Sequence, residues 1–452
     1  MSRQWQQIGI LSAWSLAATM ALGSAPILNE SLKIVPADGL PDDRFGYSAD
    51  VHDGVVAVGS KWVDENGFNS GAAYLFDASS GEQLAKLLAN DGAPNEEFGS
   101  AIALDDRYVV VGTQLDNDNG AASGSIYIFE ISTGQQLYKI LPEDGAAQDE
   151  FGRSVAIDNG IVAVSSWKDD DNGSGSGSAY VYDAASGALI NKLLAPDGAT
   201  NDRFGSAISI SNGIVAVGAQ NDDDHGTNSG SAYLFDAFSG EQIRKLMPDD
   251  GAALLRFGNS IGIDGDTVVV GQSRDNVNGS QSGSAYVFDA KSGQQLHKLI
   301  PEDGAASDQF SESIGVSAGI VAVGSRYGDD NGVNSGKLYL FDATSGEELN
   351  ILLASDGVAQ DWFGSTVGID RGVIATGADH DSDNGIWSGG AYVFDTRCAA
   401  DLSGDGILDF FDVSAFLVAY SNADLLADFS HDGQLNATDV FSFIEAYSTG
   451  CP

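Results

Sequence analysis

The feature that most constrains this chain is a strict 53-residue period: phenylalanine recurs at 45, 98, 151, 204, 257, 310 and 363, each a few residues after an Asp-Gly pair. Seven equal units restrict the chain to a repeat architecture, in which each unit buries its apolar surface against its neighbours. Every unit runs in the same order: Phe-Gly, an alternating run, a tight turn, a second run such as VAVG, an acidic loop, a third run such as SAYVYD, then SGxxLxKLL. The runs are short, rich in Val, Ile, Ala and Tyr, and bounded by Gly, Asn, Asp or Ser, as strands joined by turns are. Pairs such as Asp53-Gly54, Asn159-Gly160 and Asn212-Gly213 mark two-residue hairpins between the first and second strands. Four antiparallel strands repeated seven times predict an all-β, seven-bladed propeller over residues 31–395; a solenoid is the alternative.

The two ends of the repeat favour a closed ring. The seventh unit stops after its third strand, Ala391 to Asp395, and lacks the SGxxLxKLL segment. SLKIVPADG, Ser31 to Gly39, matches LAKLLANDG, Leu84 to Gly92, so an N-terminal strand is expected to complete the last blade and leave no open edge.

Phe-Gly followed by a strand pair ending in VAVGS, VVVGT or IVAVGA resembles the FG-GAP repeat of integrin α-chain propellers, and bacterial FG-GAP-like repeats with a GDDDNG…SGSAYVF signature are more similar still. In integrin-type blades the calcium loop joins the first and second strands. Here that connection is a tight turn and the acids follow the second strand, so integrin ligand positions do not carry over.

Strand parity puts the loop leading into each first strand and the loop between the second and third strands on one face. These loops hold more than half of the 65 Asp and Glu residues of a chain whose net charge is −44. Such a surface repels nucleic acid and anionic lipid and attracts cations. Aligned on the loop glycine (67, 120, 173, 226, 279, 332, 385), the carboxylates are Asp64 and Glu65; Asp116 and Asp118; Asp169, Asp170 and Asp171; Asp222, Asp223 and Asp224; Asp275; Asp329 and Asp330; and Asp381 and Asp383. Calcium takes six to eight oxygens from such loops. Asp116, Asp118, Asp169, Asp171, Asp222, Asp224, Asp381 and Asp383 are the candidate propeller ligands, and blade 5, with Val277, suits an ion least. The alternative is plain turn chemistry, with Asx turns and glycines needing no metal. The Asp of each lead-in Asp-Gly (38, 91, 144, 197, 250, 303, 356) is expected to cap its own turn, and the seven phenylalanines to be core.

After Cys398 the pattern changes. Asp401, Ser403, Asp405, Asp409 and Asp412 occupy positions 1, 3, 5, 9 and 12 of an EF-hand-type loop, with Gly406 at the sharp turn and Ile407 offering its carbonyl. Asp428, Ser430, Asp432, Gln434, Asn436 and Asp439 repeat the spacing 27 residues later. Each loop leads into a helix with an apolar stripe, Val413, Phe416, Leu417, Tyr420 and Val440, Phe443, Ile444, Tyr447, expected to face each other. Aspartate at position 12 without an entering helix makes residues 398–452 resemble a dockerin. That likeness implies calcium in both loops and a cohesin-like or cell-surface anchoring partner, although Phe410-Phe411 and Ala437-Thr438 replace the family's usual small hydroxyl pairs. In an exported protein the chain's only two cysteines, Cys398 and Cys451, most simply form a disulfide. Parity also has the chain leave blade 7 on the face opposite the acids.

Arg3, an apolar stretch from Ile8 to Leu22 and small residues at Gly23 to Ala25 have the order of a secretory signal (residues 1–25); a retained anchor is the alternative. A secreted or cell-surface monomer without a membrane span in the mature chain is therefore expected. The five histidines (52, 225, 297, 380, 431) show no metal-ligand spacing, and little breakage of repeat symmetry is visible. The expectation is a non-catalytic adhesion or binding protein whose propeller face takes a glycan or protein. A tethered polysaccharide-degrading enzyme using paired carboxylates is the alternative.

Overall fold

The structure is a computed structural model that describes residues 27–397 and, beyond them, two helices with residues adjoining them between 400 and 449. Seven sheets form the blades, six antiparallel with four strands and one mixed with five. Blade 3 is typical: Phe151–Asp158, Ile161–Ser166, Ser178–Asp183 and Ala188–Leu193 pair in sequence order. First strands line the central channel and fourth strands lie outermost.

The ring closes through β2 (Leu32–Ile34), which pairs antiparallel with Gly390–Asp395 as the fourth strand of blade 7. The preceding β1 (Ile27–Asn29) adds a closure that the sequence did not announce. It pairs in parallel with Glu348–Leu353, making blade 6 the five-stranded sheet. One short N-terminal segment thus joins two adjacent blades.

The core lies between blades. Apolar clusters each draw on two neighbouring sheets, as where Val181 and Leu193 of blade 3 meet Val215 and Tyr233 of blade 4. Each repeat phenylalanine is buried edge-on against the aromatic pair of its own third strand; Phe151 lies 5.3 Å from Tyr180 and 6.1 Å from Tyr182. Such edge-to-face pairs add to the area buried.

The glycine four residues after each loop glycine is fixed by this packing. Gly124 has φ 83°, and a Cβ there would sit 1.9 Å from the carbonyl oxygen of Phe151 in the next blade. Ser311 replaces the Phe-following glycine in blade 6 at φ 77°, and its hydroxyl compensates by donating to Ser284 O and accepting from Gln272 N.

At the hairpin end the blades are clasped in sequence. Asp158 accepts the amide of Asn212, Asp264 that of Ala318, and Asp370 that of Asp53, the last bond running from blade 7 back to blade 1. The chain leaves blade 7 at this end, where Thr396 N donates to Gly372 O.

Beyond the propeller, α1 (Phe410–Ser421) and α2 (Ala437–Thr449) meet through Phe416 and Phe443, whose rings stack at 4.1 Å. The expected stripes need one correction. Val413, Phe416, Tyr420, Val440, Phe443 and Tyr447 pack together, but Leu417 and Ile444 are 58% and 54% exposed. One helix diameter cannot direct adjacent residues 416 and 417, or 443 and 444, into the same small core.

Candidate functional site at the acidic end of the channel

The acidic loops and lead-in loops do share one end of the propeller, and there blades 2, 3, 4 and 7 build the same cage, while Val63 in blade 1 and Val277 in blade 5 each take the place of one carboxylate. In blade 3 the first loop carboxylate, Asp169, is buried and accepts from Ser178 Oγ at 2.8 Å and Tyr180 OH at 3.0 Å. Tyr180 also reaches Asp144, 3.0 Å away in the lead-in loop. Lys192 on the fourth strand sets its ammonium 2.6 Å from Asp144, 3.0 Å from Asp169 and 2.5 Å from Asp171. Burial alone would lower the lysine pKa; the bonds to Asp144 and Asp171 reverse this and hold it well above its ordinary value. Burial likewise opposes ionisation of Asp144, but Lys192 and Tyr180 bring its pKa below the usual carboxylate range.

The lead-in aspartates therefore do more than cap their own turns; each accepts from the tyrosine and lysine of its blade. The expected ligand sets change accordingly. Asp144, Asp169 and Asp171, Asp197, Asp222 and Asp224, and Asp356, Asp381 and Asp383 each bring carboxylate oxygens within 4.8 Å of one another, a grouping that could hold a metal ion. In all three the cation present is a lysine ammonium, from Lys192, Lys245 and Lys33. Lys139 stands in the same way 2.8, 2.7 and 2.7 Å from Asp91, Asp116 and Asp118. Turn chemistry accounts for the middle carboxylates, since Asp170 accepts the amide of Gly175 and Asp223 that of Asn228.

Blade 6 reaches the same result by another route. At the register of Lys192 stands Ile351, in the strand that β1 covers, and at that of Ser178 stands Lys337. The buried aspartate is replaced by Gly328, where a Cβ would lie 2.7 Å from the Lys337 side chain. The ammonium of Lys337 still meets Asp303 at 2.8 Å and Asp330 at 2.7 Å. Three substitutions keep a cation at one point in space.

Nearer the axis the repeat breaks. Four positions per blade, held in blade 1 by Arg44, Tyr47, Lys61 and Trp62, gather at the acidic end of a channel of about 950 Å3, whose wall takes Tyr47, Arg153, Arg326 and Asp379 from them. Arg44 is 7% exposed and lies between the rings of Trp62 and Trp387, 4.5 and 4.4 Å away. Trp167 is flanked by Arg153 at 4.8 Å and Arg203 at 4.7 Å. His380 stacks on Trp362 at 3.5 Å; burial first, then Arg44, Arg326 and Lys61, lower its pKa to about 3. Arg44, Arg203, Arg256 and Trp362 project from residues with φ of 58°, 61°, 59° and 61°, a conformation that side chains other than glycine seldom adopt. The expectation of little symmetry breakage is thus overturned. The signal was available, because lead-in and post-strand residues vary among the units while the frame around them does not.

In the C-terminal part, Asp412 and Asp439 are fully buried in the first turns of their helices. Asn436 and Asp439 cap α2 reciprocally, Asn436 Oδ1 accepting from Thr438 N and Asp439 Oδ2 from Asn436 N. Gln434 adjoins this turn. Asp401, Ser403, Asp405, Ile407, Asp409, Asp428, Ser430 and Asp432, the Cys398–Cys451 pair and the signal segment lie outside the described residues.

Among solved structures, the chain is similar to the computationally designed Ika8 protein at 16% identity and a TM-score of 0.47, over 82% of this chain and 99% of that one. No curated protein matches significantly. The profile described as "FG-GAP repeat" matches seven times, at residues 28–76, 82–129, 135–182, 188–235, 241–288, 294–341 and 347–394. With every blade matched in register, the chain belongs to the FG-GAP repeat family.

Proposed function

We propose that the chain is an exported, monomeric, non-catalytic binding protein that takes a glycan or protein ligand at the acidic end of its propeller. One observation carries this reading: side chains that depart from the repeat gather around the channel mouth, as binding residues on a rigid scaffold do. The alternative, a tethered polysaccharide-degrading enzyme using paired carboxylates, is disfavoured by the cages, where lysine ammoniums engage the clustered carboxylates. Capture of purified glycans and candidate proteins by the immobilised full-length protein tests the reading. Trp62→Ala with Trp387→Ala should abolish capture, and undiminished capture would refute it.

Residues 398–452 serve in this proposal as a calcium-loaded, dockerin-like anchor. The apolar exposure of Phe410, Phe411, Phe441, Leu417 and Ile444 supports a cohesin-like or cell-surface partner for the helices. Calcium belongs to the two C-terminal loops, while lysines neutralise the propeller cages. Calorimetric titration of the metal-stripped protein should give two calcium ions per chain. A larger count that falls with Asp169→Asn would return calcium to the propeller.

A further inference from the structure

We infer that the propeller's ligand is an acidic saccharide, whose carboxylate or sulfate is received by an arginine arc spanning blades 3 to 5; this deepens the binding reading above and rests on it. In a chain of net charge −44, Arg153, Arg203, Arg256 and Arg274 form no ion pair among the described residues. The charged group that acts on Arg256 is another arginine, Arg274, and together with burial it lowers the Arg256 pKa. None of these four guanidiniums is paired with a carboxylate among the described residues, although Glu312 lies within electrostatic reach of Arg274, and guanidinium forks left open in this way match carboxylate and sulfate oxygens.

The unpartnered atoms around the mouth say what the ligand must offer. Arg44 Nε, Arg203 Nη1, Arg256 Nε and Trp362 Nε1 are buried donors without an acceptor, and Asn221 Oδ1, at the register of Trp62, is a buried acceptor without a donor. Buried polar atoms left unpaired cost free energy, which is recovered when these side chains turn toward a ligand bearing acceptors and at least one hydroxyl. The surrounding carboxylate rim turns away densely charged polyanions, so the anion must arrive on a largely neutral frame. Across the mouth from the arginines, Trp387 is 41% exposed and offers a flat apolar face suited to a sugar ring. Anionic charge, hydroxyls and a ring face occur together in a uronate- or sulfate-bearing saccharide. An inorganic anion has only the first.

Binding of a short oligogalacturonate and of its methyl-esterified form, and of a sulfated galactan oligomer and its desulfated form, should be measured with the full-length protein. At least one charged member is expected to bind, its neutral counterpart at least about tenfold more weakly, and the charged pair of probes separates carboxylate from sulfate. Arg256→Gln with Arg274→Gln should reduce that binding at least about tenfold while leaving the melting temperature unchanged or raised, because two like charges are removed. Neutral probes binding as well as charged ones, or the double variant binding like wild type, would overturn the inference while leaving the binding reading intact. Failure of both charged probes would also overturn it, and the Trp62/Trp387 capture experiment then judges the broader reading separately.

Discussion

The outer cages and the inner mouth are built on the same seven loops, yet they obey opposite rules. In the cages, chemistry is kept even when the residues change: blade 6 gives up the buried aspartate, the serine and the strand-four lysine and still places an ammonium between Asp303 and Asp330. At the mouth, register positions are kept and chemistry varies, so that the place of Arg44 is taken by Glu97 in blade 2, Gln309 in blade 6 and Trp362 in blade 7. An ammonium held between at least two carboxylates recurs in every blade. Variation held in strained backbone marks what only the assembled ring can use.

The contrast is broken most forcefully at a cage lysine. Lys192→Met leaves Asp144, Asp169 and Asp171 without their cation, and stability by denaturant titration should fall by about 2–4 kcal/mol, toward the range for a broken buried pair but eased by solvent at Asp144 and Asp171. Added calcium should recover part of that loss only in the variant. Tyr180→Phe removes the hydroxyl shared by Asp144 and Asp169 and should cost about 1–2 kcal/mol in the same assay.

pH acts through buried carboxyls rather than through the cage lysines. Burial lifts Asp50, Asp149, Asp202 and Asp361 to about 6, so the folded protein holds protons that the unfolded chain has released. Stability should therefore decline as pH rises from about 4 through about 6 and then level off, opposed only partly by neutral His380, which favours the unfolded chain below about 6.5. The smallest effect belongs to the mouth, where Arg256→Gln with Arg274→Gln should change unfolding free energy by no more than about 0.5 kcal/mol. A loss as large as that of Lys192→Met would erase the distinction between the two regions.

Much of the ring was legible in the sequence because it is written at fixed spacing. Phe45 to Phe363 gave seven blades, and Ser31 to Gly39 matched the segment missing after Asp395. The cage lysines at 33, 86, 139, 192, 245 and 298 were equally periodic, but their partners lie on other strands and in a preceding loop, a proximity created only by folding. The mouth escaped for the opposite reason: searching for what the units share discards the residues in which they differ. Leu417 and Ile444 fit a helical stripe as well as their neighbours did, and only the narrow contact between Phe416 and Phe443 decides against them.

The double attachment of β1 and β2 also sets the order in which the molecule can be made. Ser31 bonds to Val393, a partner translated 362 residues later. At about 5–20 residues per second, the segment must wait about 20–70 seconds after emerging before its docking site exists. The earliest-made strands are therefore the last to be seated, and the ring cannot lock until nearly the whole propeller has been synthesised. An interrupted or truncated product would keep open edges on its terminal blades, so completion of the chain and completion of the fold become a single checkpoint.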